Sequence, residues 1–265
     1  MNLDRYLPRD SPLHRADPRL KLIAAVATIL AITLLPVGAF VALAVAWLAI
    51  VLVALWARVG PLRVARNGLV AAPFALAAIP LVFTRPEDPL GTLTVGPLMM
   101  TISGEGLRML ATILLKSWLS VQVAVLLAFT TPFHELIDAL RELRVPRIFV
   151  AVIGFMYRYL GVLGEEAGRM SRARAARSAA APDGRPDGGS VLWRARVTGS
   201  MVGSLFIRSY ERSERIIAAM QSRGFESELR HMALTRPPRM EVVALLLLVI
   251  GLLIYVAAAH LVAGR

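Results

Sequence analysis

The chain has 265 residues, 57% of them hydrophobic, and a mean hydropathy of +0.63, which is too apolar for a soluble domain and implies several membrane spans. It contains no cysteine, so disulfides, thiolate catalysis and cysteine-ligated zinc or iron–sulfur sites are excluded. The net charge of +12 is carried by arginine, since Lys21 and Lys116 are the only lysines. In a membrane protein such an excess marks the cytoplasmic loops. Nucleic-acid binding is not expected, because the basic stretch lacks interleaved aromatic residues.

The N-terminus, MNLDRYLPRDSPLHRADPRLK, carries both signs of charge and several prolines. It has neither the short apolar region nor the cleavage site of a signal peptide, and is read as part of the mature protein. From Leu22 to Ala57 there is no charged residue, a run of 36 positions. One helix of that length would extend about 54 Å against a hydrocarbon core of about 30 Å. The run therefore predicts two short spans with Pro36 and Gly38 at the turn. Arg58, Arg63 and Arg66 close the second span, and a third is expected over Asn67–Phe83 despite Pro73 and Pro80. The segment from Thr84 to Gly106 reads as a loop, and a fourth span covers about Leu107–Phe129.

Beyond Thr130 the sequence turns charged, until a last clean span over Val242–Ala259. Thr131 is expected to cap a short helix with Pro132 at its first position and Leu136, Leu140 and Leu143 at helical spacing. Pro146 ends that helix and starts another, running through Tyr157 into the basic GRMSRARAARSAA. APDGRPDGGS, Ala181–Ser190, has the composition of a flexible tether. Leu192–Met220 reads as a further helix, with Phe206, Tyr210, Ile217 and Met220 available to one stripe, a Glu211–Arg215 pair on its wet side, and Gly224 placed to end it. With the N-terminus in the cytoplasm, five spans put every basic loop on the cytoplasmic side. Ile148–Gly164 is long enough to cross, but crossing would break that rule, so it is expected to lie in or against the membrane. The fold class is thus an all-α integral membrane protein with about five transmembrane helices. Its regions are an N-terminal membrane part (1–130), cytoplasmic or membrane-surface helices (131–239) and a C-terminal span (240–265).

Neither lysine follows a glycine, so a Gly-Lys-Ser/Thr phosphate loop is absent, as are HExxH and GxSxG. His14, His134, His231 and His260 are scattered across opposite expected sides of the membrane, which suits solvated or capping roles better than metal ligation. No catalytic residue, metal ligand or cofactor is assigned. Lys116 lies inside the fourth span, where an ionisable group is either functional, or paired with a backbone carbonyl or snorkelling along a tilted helix. Two arginines carry the remaining signal. Ala176-Arg177-Ser178 and Ser222-Arg223-Gly224 each flank an arginine with small residues, which lets its guanidinium enter a partner's groove and meet carboxylates or helix-terminal carbonyls.

Three stretches carry a resemblance: SPLHRADPRLKL, VPRIFVAVIGFMYRYLGVLGEEAGRMSRARAARS and RSYERSERIIAAMQSRGF. In order and spacing they resemble the transmembrane T component of energy-coupling factor transporters, above all CbiQ of the cobalt uptake system. The resemblance implies that Arg177 and Arg223 are coupling arginines, docked in grooves of two ATP-binding cassette ATPase subunits. It also implies that a separate small membrane subunit binds the substrate and topples within the bilayer, and that ATP hydrolysis belongs to the partners. The expected location is the bacterial inner membrane. Ser178 stands where many family members have glycine, which leaves the helix-end geometry there open. The rival reading is a membrane enzyme that clamps a phosphorylated or lipid substrate with its arginines, with Glu165, Glu166 or His134 as acid/base groups. A self-sufficient ion carrier built on Lys116 is a third.

Overall fold

A computed structural model describes residues 6–71, 79–80, 89–95, 98–177, 190–224 and 237–263. They divide into two compact units, one of 4–139 with 234–265, and one of Leu140–Ala233. The first is the apolar unit. Its elements are α1 (Pro12–Arg15), α2 (Pro18–Leu34), α3 (Phe40–Trp56), α4 (Pro61–Gly68), strands β1 (Pro89–Val95) and β2 (Leu98–Ser103), and α5 (Gly104–Thr130). A short helix α6 (Phe133–Glu142) follows, then α7 (Arg147–Arg177) and α8 (Val191–Gln221); α9 (Arg239–Ala263) returns to the first unit. The expected helical membrane architecture is what the chain adopts. By length and composition α5, α7 and α9 can each cross a membrane, and α3 is a shorter apolar helix.

The uncharged run of 36 positions folds as anticipated: α2 stops at Leu34, α3 starts at Phe40, and Pro36 and Gly38 lie between. The third expected span, Asn67–Phe83, falls mostly outside the described residues. Where a loop was expected before α5, β1 and β2 form an antiparallel hairpin, registering Gly91 with Ile102, Leu93 with Met100 and Val95 with Leu98. Its sequence, TLTV against LMMTIS, is rich in β-branched residues that suit a pleated ribbon. The start of α6 also differs from expectation. Thr131 does not cap it; its N–H donates to Leu127 O at the end of α5, and its buried hydroxyl makes no hydrogen bond. Helix α5 runs unbroken to Thr130 and claims Thr131 as its own terminus, leaving the Pro132 carbonyl to accept the first α6 bonds from Glu135 and Leu136.

Side-chain contacts fix the helix directions in the apolar unit. The Asp17 N–H at the start of α2 donates to Glu241 in the first turn of α9, over 2.9 Å. At the other end His260 of α9 meets the Leu34 carbonyl of α2, so the two helices run parallel. Helix α5 opposes them, with Lys116 at the end of α2 and Thr130 beside Lys21 near its start. Helix α3 runs alongside α5: Trp47 stacks on Trp118 at 6.3 Å, and Ala54, Ala57 and Val59 cluster with Leu126 and Phe129. A second cluster joins Ala25 and Ile32 of α2 to Leu43 and Ile50 of α3, Leu119 and Val123 of α5 and Ala259 of α9. The chain therefore leaves α5 and enters α9 at one end of this unit, the end marked by Asp17 and Lys21.

Close packing also sets one glycine. A Cβ on Gly68 would lie 3.0 Å from both Gln122 Cγ and Trp118 Nε1, and that indole donates to Ala65 O over 3.2 Å. Neither the hydrogen-bonded ring nor the buried Gln122 stem can yield freely, so Gly68→Val should destabilise the unit by about 1–3 kcal/mol through overpacking. A thermal melt of the detergent-solubilised protein should show the loss, and an unchanged melting temperature would refute the close α4–α5 approach.

Candidate functional site

The second small-Arg-small motif ends α8. Ser222 is still helical at φ −63°, and Arg223 and Gly224 donate to the Met220 and Gln221 carbonyls over 3.0 Å each, tightening the last turn. Gly224 then takes φ +72°. Among the described residues two other helices end in this left-handed way, α3 at Arg58 (φ 56°) and α6 at Arg144 (φ 63°), each closed by a bond from the following residue to the carbonyl five back. Arginine pays about 1–2 kcal/mol for that conformation, whereas glycine takes it without steric cost. Gly224 thus lets α8 stop cleanly, with Ser222 and Arg223 exposed at its end.

The first motif ends α7. Ala176 is exposed and Arg177 is the last helical residue, while Ser178 lies outside the described residues. Helices α7 and α8 cross antiparallel within their unit. Glu166 of α7 takes an ion pair from Arg208 of α8 at 3.2 Å and a short one from Arg169 on its own helix. Nearer the end of α7, Arg174 reaches Thr198 Oγ1 over 3.5 Å and lies 5.9 Å from the centroid of the Trp193 ring. As the α7 number rises the α8 number falls. Thr198 and Gln221 are separated by about 35 Å of helix at about 1.5 Å per residue. The two arginine motifs therefore stand at opposite ends of the crossed pair.

Glu166 is occupied in this crossing. The hydrogen bond from Arg169 is the main reason its carboxyl is held below the usual range, with the Arg208 charge assisting. A raised value would be needed for a general acid at neutral pH. The anticipated Glu211–Arg215 pair is not among the ion pairs of the described residues; both side chains are exposed, and such a pair is worth only about 0.2–0.5 kcal/mol. Phe206, Tyr210 and Ile217 do share exposure, at 69%, 58% and 54%, and do not cover α7.

Lys116 donates to the Thr33 carbonyl over 3.0 Å and to that of Leu35, and His260 meets Leu34 O between them at 2.9 Å. Carbonyls at the end of α2, which lack intrahelical donors, are thus met by side chains from two other helices. Thr112 and Tyr255 hold the adjoining turn by accepting from Gly38 N and donating to Ala42 O. Sequence reasoning passed over the corresponding group at the other end. Lys21 is 6% exposed and donates to the carbonyls of His14 and Thr130, both at 3.3 Å. The signal was its place as the lysine bordering the uncharged run. His14 bridges Ser11 Oγ and the Leu7 carbonyl, so its Nε2 carries the proton given to Leu7. His14 and His260 have capping roles, as expected; His231 lies outside the described residues. Among the described residues no cluster of His, Asp and Glu could hold a metal ion.

The family model for the cobalt transport protein CbiQ matches residues 9–233, a span that contains both arginine motifs and the crossed helices. The chain belongs to the CbiQ family. It is 30% identical to the cobalt transport protein CbiQ of Rhodobacter capsulatus over 72% of each chain. It is 28% identical to the energy-coupling factor transporter transmembrane protein EcfT of Heliobacterium modesticaldum, over 85% of this chain and 84% of that one. A putative fused cobalt transport protein CbiMQ of Methanocorpusculum labreanum is 29% identical over 60% of this chain and 25% of the fusion. The CbiQ and EcfT proteins form the transmembrane component of energy-coupling factor transporters, and this chain is such a membrane component.

Proposed function

We propose that the chain is the non-catalytic coupling subunit of an ATP-driven metal-ion importer, with cobalt as the ion. In this reading Arg177 and Arg223 each enter a groove on one of two ATP-binding cassette ATPase subunits. A separate small membrane subunit binds the substrate, and the crossed α7–α8 pair passes the ATPases' closing motion to it. The observation that carries the reading is the placement of the two motifs at opposite ends of one braced helix pair, a geometry suited to two separate partners. Support for cobalt comes from the names of the CbiQ relatives, and the CbiMQ fusion supports a membrane partner. The missing phosphate loop favours ATP hydrolysis elsewhere.

The topology proposed with it is five spans in the bacterial inner membrane, with the N-terminus cytoplasmic and α7 on the membrane surface. Helix α5 ends and α9 begins at the same end of the apolar unit, which supports the reading in which the intervening segment makes no net crossing. Helix α8 carries Arg194, Arg196, Arg208, Glu211, Arg212, Glu214 and Arg215 and could not recross to balance a crossing by α7. Co-expression with the ATPase and substrate-binding candidates, gentle solubilisation and mass spectrometry test the assignment. The complex should contain two ATPase copies and one small membrane protein per chain, and should take up cobalt into liposomes only with ATP. Uptake by the chain alone would refute it.

A further inference from the structure

The corner between α3 and α4 carries three arginines that neither the small-Arg-small motifs nor the helix caps account for. Helix α3 has 17 residues and extends about 26 Å, a little less than a hydrocarbon core of about 30 Å. Its last residue, Trp56, is 58% exposed and stands at the membrane boundary, where indole rings collect. Arg58 follows just beyond, in a left-handed conformation that glycine would take without strain. A residue held against its backbone preference points to a function for its side chain. Val59 and Val64 share a cluster with Leu126 of α5, which folds α4 back against the end of α3. From there α4 runs inward along α5, since Gly68 faces Gln122 and Trp118. Arg63 and Arg66, one turn apart, thus stand at the edge of the bilayer, with side chains leaning back toward the helix start and the boundary.

All three arginines are exposed, and among the described residues no ion pair or hydrogen bond holds their side chains. The sequence has no carboxylate from Pro18 to Pro86, nor on α5 and its exit from Gly106 to His134. Leu7 and Leu13 of the N-terminal segment pack on this cluster, and Asp10 between them is taken by Arg15. Asp4, Glu87 and Asp88 lie outside the described residues. We infer that Arg58, Arg63 and Arg66 form a binding site for the headgroup of an anionic phospholipid. The inference rests on the membrane placement of α3 and α5, not on the coupling reading. A guanidinium at the bilayer edge is costly unless it meets a counter-charge. A lipid phosphate lies at that depth, and its oxygens match the guanidinium fork. Exposed Leu52 and Leu55 of α3, and Leu69 and Val70 beyond α4, continue inward from the arginines and offer apolar surface to the acyl chains. A free anion would leave that surface uncovered, and a zwitterionic headgroup would bring its own cation against the arginines.

Native mass spectrometry of the full chain, offered equal phosphatidylglycerol and phosphatidylcholine in detergent, tests the site. The wild type should retain phosphatidylglycerol in preference. Arg58→Gln with Arg63→Gln and Arg66→Gln should weaken that binding about fivefold per arginine, about a hundredfold in all, and leave phosphatidylcholine unaffected. A control that removes the same charge from α8, Arg196→Gln with Arg212→Gln and Arg215→Gln, should keep the preference. Equal retention of the two lipids by the wild type, or an equal loss in the control, would reduce the effect to general charge and overturn the inference. Thermal melts of the wild type carry the test even where the triple variant does not fold. Phosphatidylglycerol should raise the melting temperature, and inorganic phosphate should not. A rise with inorganic phosphate alone would make this a free-anion site and sink the lipid assignment. Release of the lipid on assembly with co-expressed partner subunits would give the corner to a protein, and overturns the inference as well.

Discussion

Reversing both arginines proposed to dock, Arg177→Glu with Arg223→Glu, should separate the chain from the proposed ATPase subunits while the apolar unit keeps its melting temperature. Arg223 is exposed at the end of α8, and among the described residues no ion pair holds it, so its reversal breaks no ion pair there. Facing a partner's carboxylate it would be part of a desolvated, charge-assisted pair, whose disruption costs about 2–5 kcal/mol. One such loss weakens association by roughly 30- to 5,000-fold, since each 1.4 kcal/mol is a factor of about ten. A single reversal leaves the other end docked, so the single variants should stay assembled but hydrolyse ATP without matching cobalt uptake. The double variant should lose the ATPases on a pull-down. Gly224→Val offers a milder check on the same end, because a β-branched residue at φ +72° carries about 1–2 kcal/mol of strain and would shift Arg223 without removing it. Wild-type assembly and transport by the double variant would end the coupling assignment.

The sequence made the membrane helices legible because their signal is local. An uncharged run interrupted by Pro36 and Gly38 can only be cut in one place, and Gly224 after a helical pattern announces a left-handed terminus. The motif arginines were visible for the same reason, as short repeated words. Hidden features depend on residues far apart in the chain. Glu166 read as a loose acid/base candidate until Arg208, 42 positions later, was found against it. Lys21 looked like a topological charge, yet it is buried against Thr130, 109 positions away. Local preference also misled where tertiary continuity won: Thr131-Pro132 has the composition of a helix start, but α5 had already used Thr131 as its end. The antiparallel crossing that sends the two motifs in opposite directions appears only once Arg174 is seen beside Thr198.

Replacing Lys116 by Met should lower the melting temperature of the whole chain. Lys116→Arg should restore part of the stability, because a guanidinium still reaches carbonyls. Met keeps the length and apolar stem of lysine, so the change isolates the ammonium and its bonds to Thr33 and Leu35. Those carbonyls end α2 and have no intrahelical donor to fall back on. A hydrogen bond to a charged group contributes about 1.5–3 kcal/mol, so losing two costs about 3–6 kcal/mol if water does not reach the site. For a chain of this size that corresponds to a fall of roughly 6–24 °C. The same variant separates the two roles open to this residue. If Lys116 is a cap, Met lowers stability, and whatever folded complex remains still couples ATP hydrolysis to uptake. If Lys116 carried the ion itself, Met would leave the melting temperature alone and abolish uptake, and no ATPase would be needed to see it. The membrane-enzyme alternative predicts neither pattern, since its chemistry would sit with Glu165, Glu166 or His134, outside the set of contacts that Lys116 makes. The contacts favour the first outcome: His260 meets the carbonyl between the two that Lys116 holds, so the lysine is one member of a two-helix cap.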